Sequence, residues 1–312
     1  MNYISKYAML LLVTAFFISC GDQPKEETVS KPSFKNKVKG VNLVGNDHPL
    51  DIISIIELYN IHANAVGLGV QAIFDMENDT LKWNTDAMDW CYTNEGLQRT
   101  IELSKEKKLF VTLQPFLKFE GMDSTTTPEQ FLEKLDKHGD AYRQFILEYA
   151  KMSEENRLPV FSIGTVLDEW VMLRPEYWKN LIQEVRHLYH GDVIYTCQFR
   201  NEERVQLWKD LNYIGIMALD EAPDSARYAA LGRFSEEMNK EVIFTFWGYN
   251  ESDEKVQAQK IEQFFNDVYK QDWSLGGYLW KWEVVNEEID LDSEYYSPQN
   301  RTAQKTIESY WK

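Results

Sequence analysis

The sequence predicts an α/β protein, a (β/α)8 TIM barrel, on the strength of three observations. Eight short runs of apolar and β-branched residues recur along the chain, and a longer helical pattern separates most of them. Residues 38–312 show no second shift in composition. Apolar strands that alternate with helices are typical of parallel strands buried on both faces, and eight such units in this length close into a barrel. A doubly wound open sheet is the alternative that eight units make less favourable.

The strands are predicted at residues 38–43, 63–68, 109–114, 160–165, 193–198, 213–218, 242–246 and 276–282. The helices are predicted at residues 51–60, 95–107, 128–153, 175–189, 203–210, 224–239, 255–272 and 302–311. Pro128 and Pro175 suit the first turn of a helix, and Asp224 or Ser225 suits an N-cap. Residues 71–94 are predicted to form a long loop that contains Trp83 and Trp90.

The N-terminal segment predicts where the protein resides. Lys6 precedes an apolar run at residues 7–18, and Ser19-Cys20-Gly21 follows it. This run is too short to span a bilayer as a stable helix, and the pattern is typical of a bacterial secretory signal. Its end resembles the lipobox of bacterial lipoproteins, which implies cleavage after residue 19 and acylation of Cys20. We therefore expect a signal peptide at 1–19, a lipidated Cys20 with a flexible linker at 20–37, and a barrel at 38–312 held at a membrane of the bacterial cell envelope, on its periplasmic or surface side. A plain signal peptide cut elsewhere or a short membrane anchor is the alternative.

Composition and charge limit the ligand classes. The net charge is −17, and loss of residues 1–19, which hold Lys6 and no acidic residue, would leave −18. Such a charge argues against nucleic acid and against docking on anionic lipid through a basic surface, whereas a neutral glycan remains compatible. The scattered histidines and the absence of a phosphate-binding motif predict neither a metal nor a cofactor. Cys91 and Cys197 could pair in an oxidising compartment, which the sequence leaves open.

Tryptophan and carboxylate side chains follow the predicted strands. In a barrel of this kind, the functional site is built at the carboxyl ends of the strands. The acidic candidates there are Asp168, Glu169, Asp220 and Glu221, with Glu251 and Glu283 as weaker ones. The aromatic candidates are Trp170, Trp247, Tyr249, Trp280 and Trp282. Flat rings beside hydrogen-bonding groups suit a sugar, which has apolar C–H faces and hydroxyl edges, so these residues predict a carbohydrate site. The alternatives are that the rings close the barrel mouth and that the carboxylates cap helices, pair with basic residues or face solvent.

Several segments, in chain order, resemble glycoside hydrolase family 113, the clan A barrels that include β-mannanases. They are residues 39–43 (KGVNL), 64–66 (NAV), 161–165 (FSIGT), 178–195, 208–216 (WKDLNYIGI), 244–245 with 248–249, and 277–282 (GYLWKW). The resemblance covers essentially the whole barrel. It implies a TIM barrel fold and descent from enzymes that hydrolyse β-mannan.

The resemblance fails at the positions that matter for catalysis. Where the family's fourth strand ends Gly-Thr/Cys-Glu-Leu, Val166 replaces the acid/base glutamate. Where the seventh strand reads Phe-Thr/Ala-Glu-x-Gly, Phe246 replaces the nucleophile. Leu219 occupies the place of a tyrosine near the nucleophile, and Gln198 that of an asparagine on the fifth strand. Retaining hydrolysis needs a carboxylate nucleophile and a carboxylic acid roughly 5 Å apart, and valine and phenylalanine supply neither.

Three functions fit these observations. The first is a lipid-anchored pseudoenzyme that binds an oligo- or polysaccharide, mannan-like by resemblance, without hydrolysing it. The second is an active glycoside hydrolase with relocated carboxylates, Asp168 or Glu169 with Asp220 or Glu221, spaced for an inverting mechanism. The third is a scaffold for other envelope proteins, with a vestigial cleft.

Overall fold

A computed structural model describes residue 34 and residues 36–45, 52–122, 126–222, 224–284 and 295–312 of the protein. The barrel strands are β1 Val38–Val44, β2 Ala65–Asp75, β4 Phe110–Glu120, β5 Val160–Thr165, β6 Asp192–Gln198, β7 Ile214–Leu219, β8 Val242–Gly248 and β9 Ser274–Glu283. These eight parallel strands form a closed barrel in the order β1-β9-β8-β7-β6-β5-β4-β2, and pairing of β1 with β2 closes it. The predicted (β/α)8 barrel is therefore confirmed.

The helices surround the barrel. They are α1 Ile52–Asn60, α2 Asn94–Glu106, α3 Pro128–Lys137, α4 Gly139–Glu155, α5 Asp168–Leu173, α6 Pro175–Leu188, α7 Ser225–Met238, α8 Glu254–Phe264 and α9 Thr302–Trp311. Pro128 and Pro175 begin their helices as predicted, and the Asp224 side chain caps α7 by accepting a hydrogen bond from the Arg227 N–H at 3.1 Å.

Three predicted segments differ from the structure. The helix expected at 128–153 is two helices, α3 and α4, which meet at His138. The segment at 203–210 contains turns and one short 3-10 helix, Trp208–Asp210, instead of an α-helix. The loop expected at 71–94 includes the end of β2 and a further strand, β3 Thr80–Trp83, which pairs with β2 in an antiparallel hairpin. Both β2 and β4 extend beyond the predicted strands, because they pair with each other over eleven residues.

The barrel interior changes character along its axis. At the amino ends of the strands, an apolar cluster fills the interior: Phe34, Val38, Ala65, Val160, Ile194, Tyr213, Ile243, Leu275 and Tyr278. Further along lie buried polar residues, Asn42, Thr112, Gln114, Ser162, Thr196 and Thr245. The main core lies between the strands and the helices. This arrangement leaves the carboxyl ends of the strands to form the functional face.

The predicted signal peptide, the lipidation site Cys20 and most of the linker lie outside the described residues. Among the helices that are described, none combines the length and the apolar character needed to cross a membrane.

Candidate functional site

A cavity opens at the carboxyl ends of the barrel strands, and we call it the cup. Its empty volume is about 620 Å³, part of which is open to solvent. The cup is lined by Asn42, Leu43, Val44, Gly69, Tyr92, Phe116, Thr165, Met217, Leu219, Phe246 and Trp280. Within the described parts of the chain, no carboxylate lines it.

Four aromatic rings shape the cup as two pairs. The ring centroids of Phe246 and Trp280 lie 5.6 Å apart at an angle of 59°, and those of Tyr92 and Phe116 lie 6.0 Å apart at 75°. Burial raises the pKa of Tyr92 to about 12, with smaller contributions from Cys91 and Asp89, so its phenol is neutral at physiological pH. Such rings can pack against the C–H face of a sugar.

The floor of the cup is formed by Asn42 of β1, which is 2% exposed. Its Nδ2 donates to the carbonyl oxygen of Thr245 at 2.9 Å, whereas its Oδ1 has no partner among the described residues. Gly67 makes this position possible, because a Cβ on Gly67 would lie 2.2 Å from Asn42 Oδ1 and 2.5 Å from Gln114 Nε2. An unpaired buried acceptor is costly, so this oxygen is suited to a donor on a ligand.

Thr165 supplies the other polar group from the barrel strands. Its Oγ1 donates to the carbonyl oxygen of Pro115 at 3.0 Å, which leaves the hydroxyl oxygen able to accept. Asn42 and Thr165 therefore offer acceptors to a ligand, and their own donors are already used.

The two positions that resemble the family's catalytic glutamates are placed differently. Phe246 lies on the cup, but Val166 is not among its lining residues, and its neighbour Thr165 lines the cup instead. The pairing of β5 with β6 shifts register between Ser162 and Thr165, and Val166 follows with a φ of 52°, in the left-handed region that β-branched residues rarely adopt. Of the two positions, Phe246 therefore lines the cup and Val166 does not.

Asp168, the first of the fallback catalytic residues, is a buried structural carboxylate. It accepts hydrogen bonds from the Tyr195 hydroxyl at 2.7 Å, the Gln198 N–H at 3.0 Å and the Asn201 Nδ2 at 2.7 Å. Burial, together with the nearby Asp168 charge, holds the pKa of Tyr195 well above its usual range. Asp168 thus ties the start of α5 to the end of β6, and both of its oxygens accept hydrogen bonds. Gln198 takes part through its backbone.

The other acidic candidates are not brought together in the cup either. Glu169 is exposed on α5, and Glu221 lies 3.5 Å from Arg200 Nε. Asp220 accepts hydrogen bonds from the Asn250 N–H at 2.6 Å and from the Tyr296 hydroxyl. The weaker candidates form ion pairs, Glu251 with Lys260 at 2.9 Å and Glu283 with Lys281 at 2.8 Å.

Most of the aromatic candidates are also structural. Trp170, Trp247 and Trp282 are each 1% exposed, and Tyr249 is buried, so these rings present no free face to a sugar. Trp170 donates from Nε1 to Asp136 Oδ1 at 2.9 Å, and Trp247 stacks on Phe264 of α8 with centroids 4.0 Å apart. The structure therefore places three of the four predicted tryptophans in the core, whereas Trp280 lines the cup. Their position after a strand did not reveal that they pack back against the surrounding helices.

Several residues of the cup are not predicted from the sequence. Phe116 belongs to the part of β4 beyond the predicted strand, and Asn42 was noted only within a matching segment. Nothing in the sequence marks Tyr92, which reaches the cup from a short helical turn before α2. Cys91 and Cys197 are not joined by a disulfide, and Cys197 is buried in β6. The described residues contain no group of three metal-ligating side chains.

Comparison with solved structures places the fold among glycoside hydrolases. A β-1,4-mannanase of glycoside hydrolase family 113, solved as a complex, superposes with a TM-score of 0.71 at 20% identity, covering 88% of this chain and 99% of that one. The family 113 β-mannanase of Alicyclobacillus acidocaldarius, in complex with ManMIm, gives 0.75 at 17% identity, covering 90% and 99%. A β-glucuronidase of Faecalibacterium prausnitzii gives 0.63 at 14% identity, covering 88% of this chain and 49% of that one. These identities establish a shared fold.

A search of curated protein sequences returned no match. The sequence model of glycoside hydrolase family 113, by contrast, matches residues 52–250, which is more than half of the chain. With the barrel and the ordered sequence segments, this match shows that the chain belongs to glycoside hydrolase family 113.

Proposed function

We propose that the protein binds an oligo- or polysaccharide in the cup without hydrolysing it, and that it does so as a lipid-anchored protein of the bacterial cell envelope. One observation carries the proposal. The cup of a glycoside hydrolase family barrel is lined by Phe246 where the sequence resembles the nucleophile position, and by no carboxylate within the described residues. Hydrolysis by the retaining route needs a nucleophile and a proton donor on either side of the bond, and these side chains provide neither.

The shape of the cup supports a carbohydrate ligand. It is open, and its aromatic pairs can lie against the apolar face of a pyranose. The solved relatives include β-1,4-mannanases, so β-mannan and mannooligosaccharides are the first ligands to test. An open cup also argues against a scaffold in which the ancestral cleft is filled.

The path of the chain is compatible with a membrane tether. Phe34 packs against Phe110 and Tyr213 at the end of the barrel opposite the cup. Residues 20–33 would reach at most about 48 Å when fully extended. A lipid on Cys20 would therefore tether the barrel from the end opposite the cup.

The test is a binding and hydrolysis experiment on the purified protein. We expect mannooligosaccharides, or the best ligand from a glycan array, to bind without turnover of that ligand, of β-mannan or of aryl mannosides. Trp280→Ala should weaken binding between about threefold and tenfold, because one stacking ring is lost. Trp273→Ala is the matched control, since Trp273 lies at the opposite end of the barrel, and its affinity should equal that of the wild type.

Two results would contradict the proposal. Equal affinities for wild type and Trp280→Ala would remove the cup as the binding site. Robust hydrolysis that disappears in Glu169→Gln or Asp220→Asn would show an active hydrolase with relocated carboxylates.

A further inference from the structure

We propose that the cup selects a sugar residue in which a hydroxyl is missing or acylated, such as a 6-deoxy or an O-acetyl sugar, over the unsubstituted hexose. This inference rests on the proposed carbohydrate binding and names the class of sugar. Its starting point is the mismatch between the few polar groups of the cup and the many hydroxyls of an ordinary hexose.

The walls of the cup are aliphatic where they are not aromatic. Leu43 and Val44 come from β1, and Met217 and Leu219 come from β7. A methyl or acetyl group would bury apolar surface against these side chains, which is favourable. A hydroxyl in the same place would lose its hydrogen bonds to water and gain none from leucine, valine or methionine.

The cup also leaves room for such a substituent. A second cavity, with an empty volume of about 410 Å³, shares Leu43, Gly69 and Tyr92 with the cup. It is lined further by Leu68, Trp90, Cys91, Leu97 and Val284. The two cavities therefore adjoin each other beside β1 and β2, and the residues that they share are apolar or aromatic.

One polar contact orients the sugar. Asn42 Oδ1 lies at the floor of the cup, is buried, and has no partner among the described residues. Because the Nδ2 of this amide is already bonded to the Thr245 carbonyl oxygen, its oxygen is available only as an acceptor. One of the hydroxyls that such a sugar keeps can donate to it, while the substituted side of the ring packs against the aliphatic wall.

The experiment compares matched monosaccharides on the purified full-length protein. The probes are methyl α-D-mannoside, methyl 6-deoxy-α-D-mannoside and methyl 6-O-acetyl-α-D-mannoside, titrated by calorimetry. We expect at least one of the two substituted sugars to bind about tenfold more tightly than the parent, which is about 1.4 kcal/mol.

A variant tests whether the aliphatic wall causes the preference. Leu219→Asn places an amide of similar size on the wall, and the preference should fall to about threefold or less. Leu173→Asn is the matched control, because Leu173 is 54% exposed on α5 and does not line the cup, so its preference should remain tenfold. Met217→Gln provides a second wall substitution if Leu219→Asn does not fold.

The outcomes separate this inference from the proposed function. Equal binding of all three sugars by the wild type would overturn the sugar preference and leave carbohydrate binding intact. A preference that survives both wall substitutions would also overturn it. If no sugar binds, in this series or on a glycan array, the proposed function itself fails and the inference fails with it.

Discussion

The two ends of the barrel are built from the same eight strands but differ in chemistry. At the amino end, Phe34 closes the interior, and the buried carboxylate of Asp192 accepts hydrogen bonds from the Tyr213 hydroxyl at 2.9 Å and from Asn212 Nδ2 at 2.8 Å. At the carboxyl end, the interior remains open as the cup, whose described lining is mostly aromatic and aliphatic. A catalytic barrel would carry its titratable groups at the open end.

The comparison shows that the carboxylates near the open end resemble those of the closed end. Asp168 binds the hydroxyl of Tyr195 as Asp192 binds that of Tyr213, and in both cases the carboxylate connects neighbouring segments of the chain. Asp168, although it follows a strand at the open end, is therefore structural, and no carboxylate of the described residues lines the cup.

The largest effect is expected for Asp168→Ala. Three donors, of which the Tyr195 hydroxyl is buried and the other two are partly buried, would lose their acceptor, so the free energy of unfolding should fall by about 4 kcal/mol. Urea denaturation followed by circular dichroism measures it. The exposed neighbour Glu169 gives the control, since Glu169→Ala should change stability by less than about 0.5 kcal/mol. If Asp168→Ala is as stable as the wild type, the Asp168 carboxylate does not have the structural role assigned to it.

A smaller effect is expected at the closed end for Phe34→Ala. The variant removes a buried ring that packs against Phe110 and Tyr213, which should cost about 3 kcal/mol of unfolding free energy. Ligand affinity at the cup should be unchanged, and Asn36→Ala, at an exposed neighbour, serves as the control. If Phe34→Ala remains folded but binds the ligand more weakly, the two ends of the barrel are coupled and do not act independently.

The smallest effect is a pH dependence at the closed end. Burial raises the pKa of Glu241 above its ordinary value, and attraction to Lys37 opposes this only in part. The folded state therefore binds this proton more tightly than the unfolded state, so the contribution to stability is present below the ordinary pKa of 4.5 and is lost as pH rises through the raised pKa.

Thermal melts between about pH 4 and pH 8 test this sign. Relative to Glu241→Gln, the wild type should lose stability as pH rises. Glu236 and Glu241 line one surface cavity at the closed end, and Glu236 is exposed. The stability of Glu236→Gln should therefore change with pH as that of the wild type does. Identical profiles of stability against pH for wild type and Glu241→Gln would show that Glu241 does not contribute to the pH dependence.

The site was harder to predict than the fold because burial at the rim depends on distant residues. Trp280 and Trp282 lie on one strand, yet the first lines the cup and the second is buried in the core. Trp170 is buried because Tyr142 of α4 and Tyr177 and Trp178 of α6 surround it, so the packing of two other helices decides its exposure. The position of a residue after a strand predicts at which end of the barrel it lies. It does not predict whether its side chain points into the cup or into the core.

The sequence by itself determined the barrel, because alternating apolar strands and helices can bury their surfaces in few ways, and proline and aspartate at helix starts act through local geometry. It also located Phe246 and Trp280 at the open end. Only the tertiary structure decided that Asp168 is structural, that Thr165 rather than Val166 lines the cup, and that Asn42 presents an unpaired oxygen at its floor. These facts depend on a strand irregularity and on contacts between residues far apart in the chain, which no local pattern records.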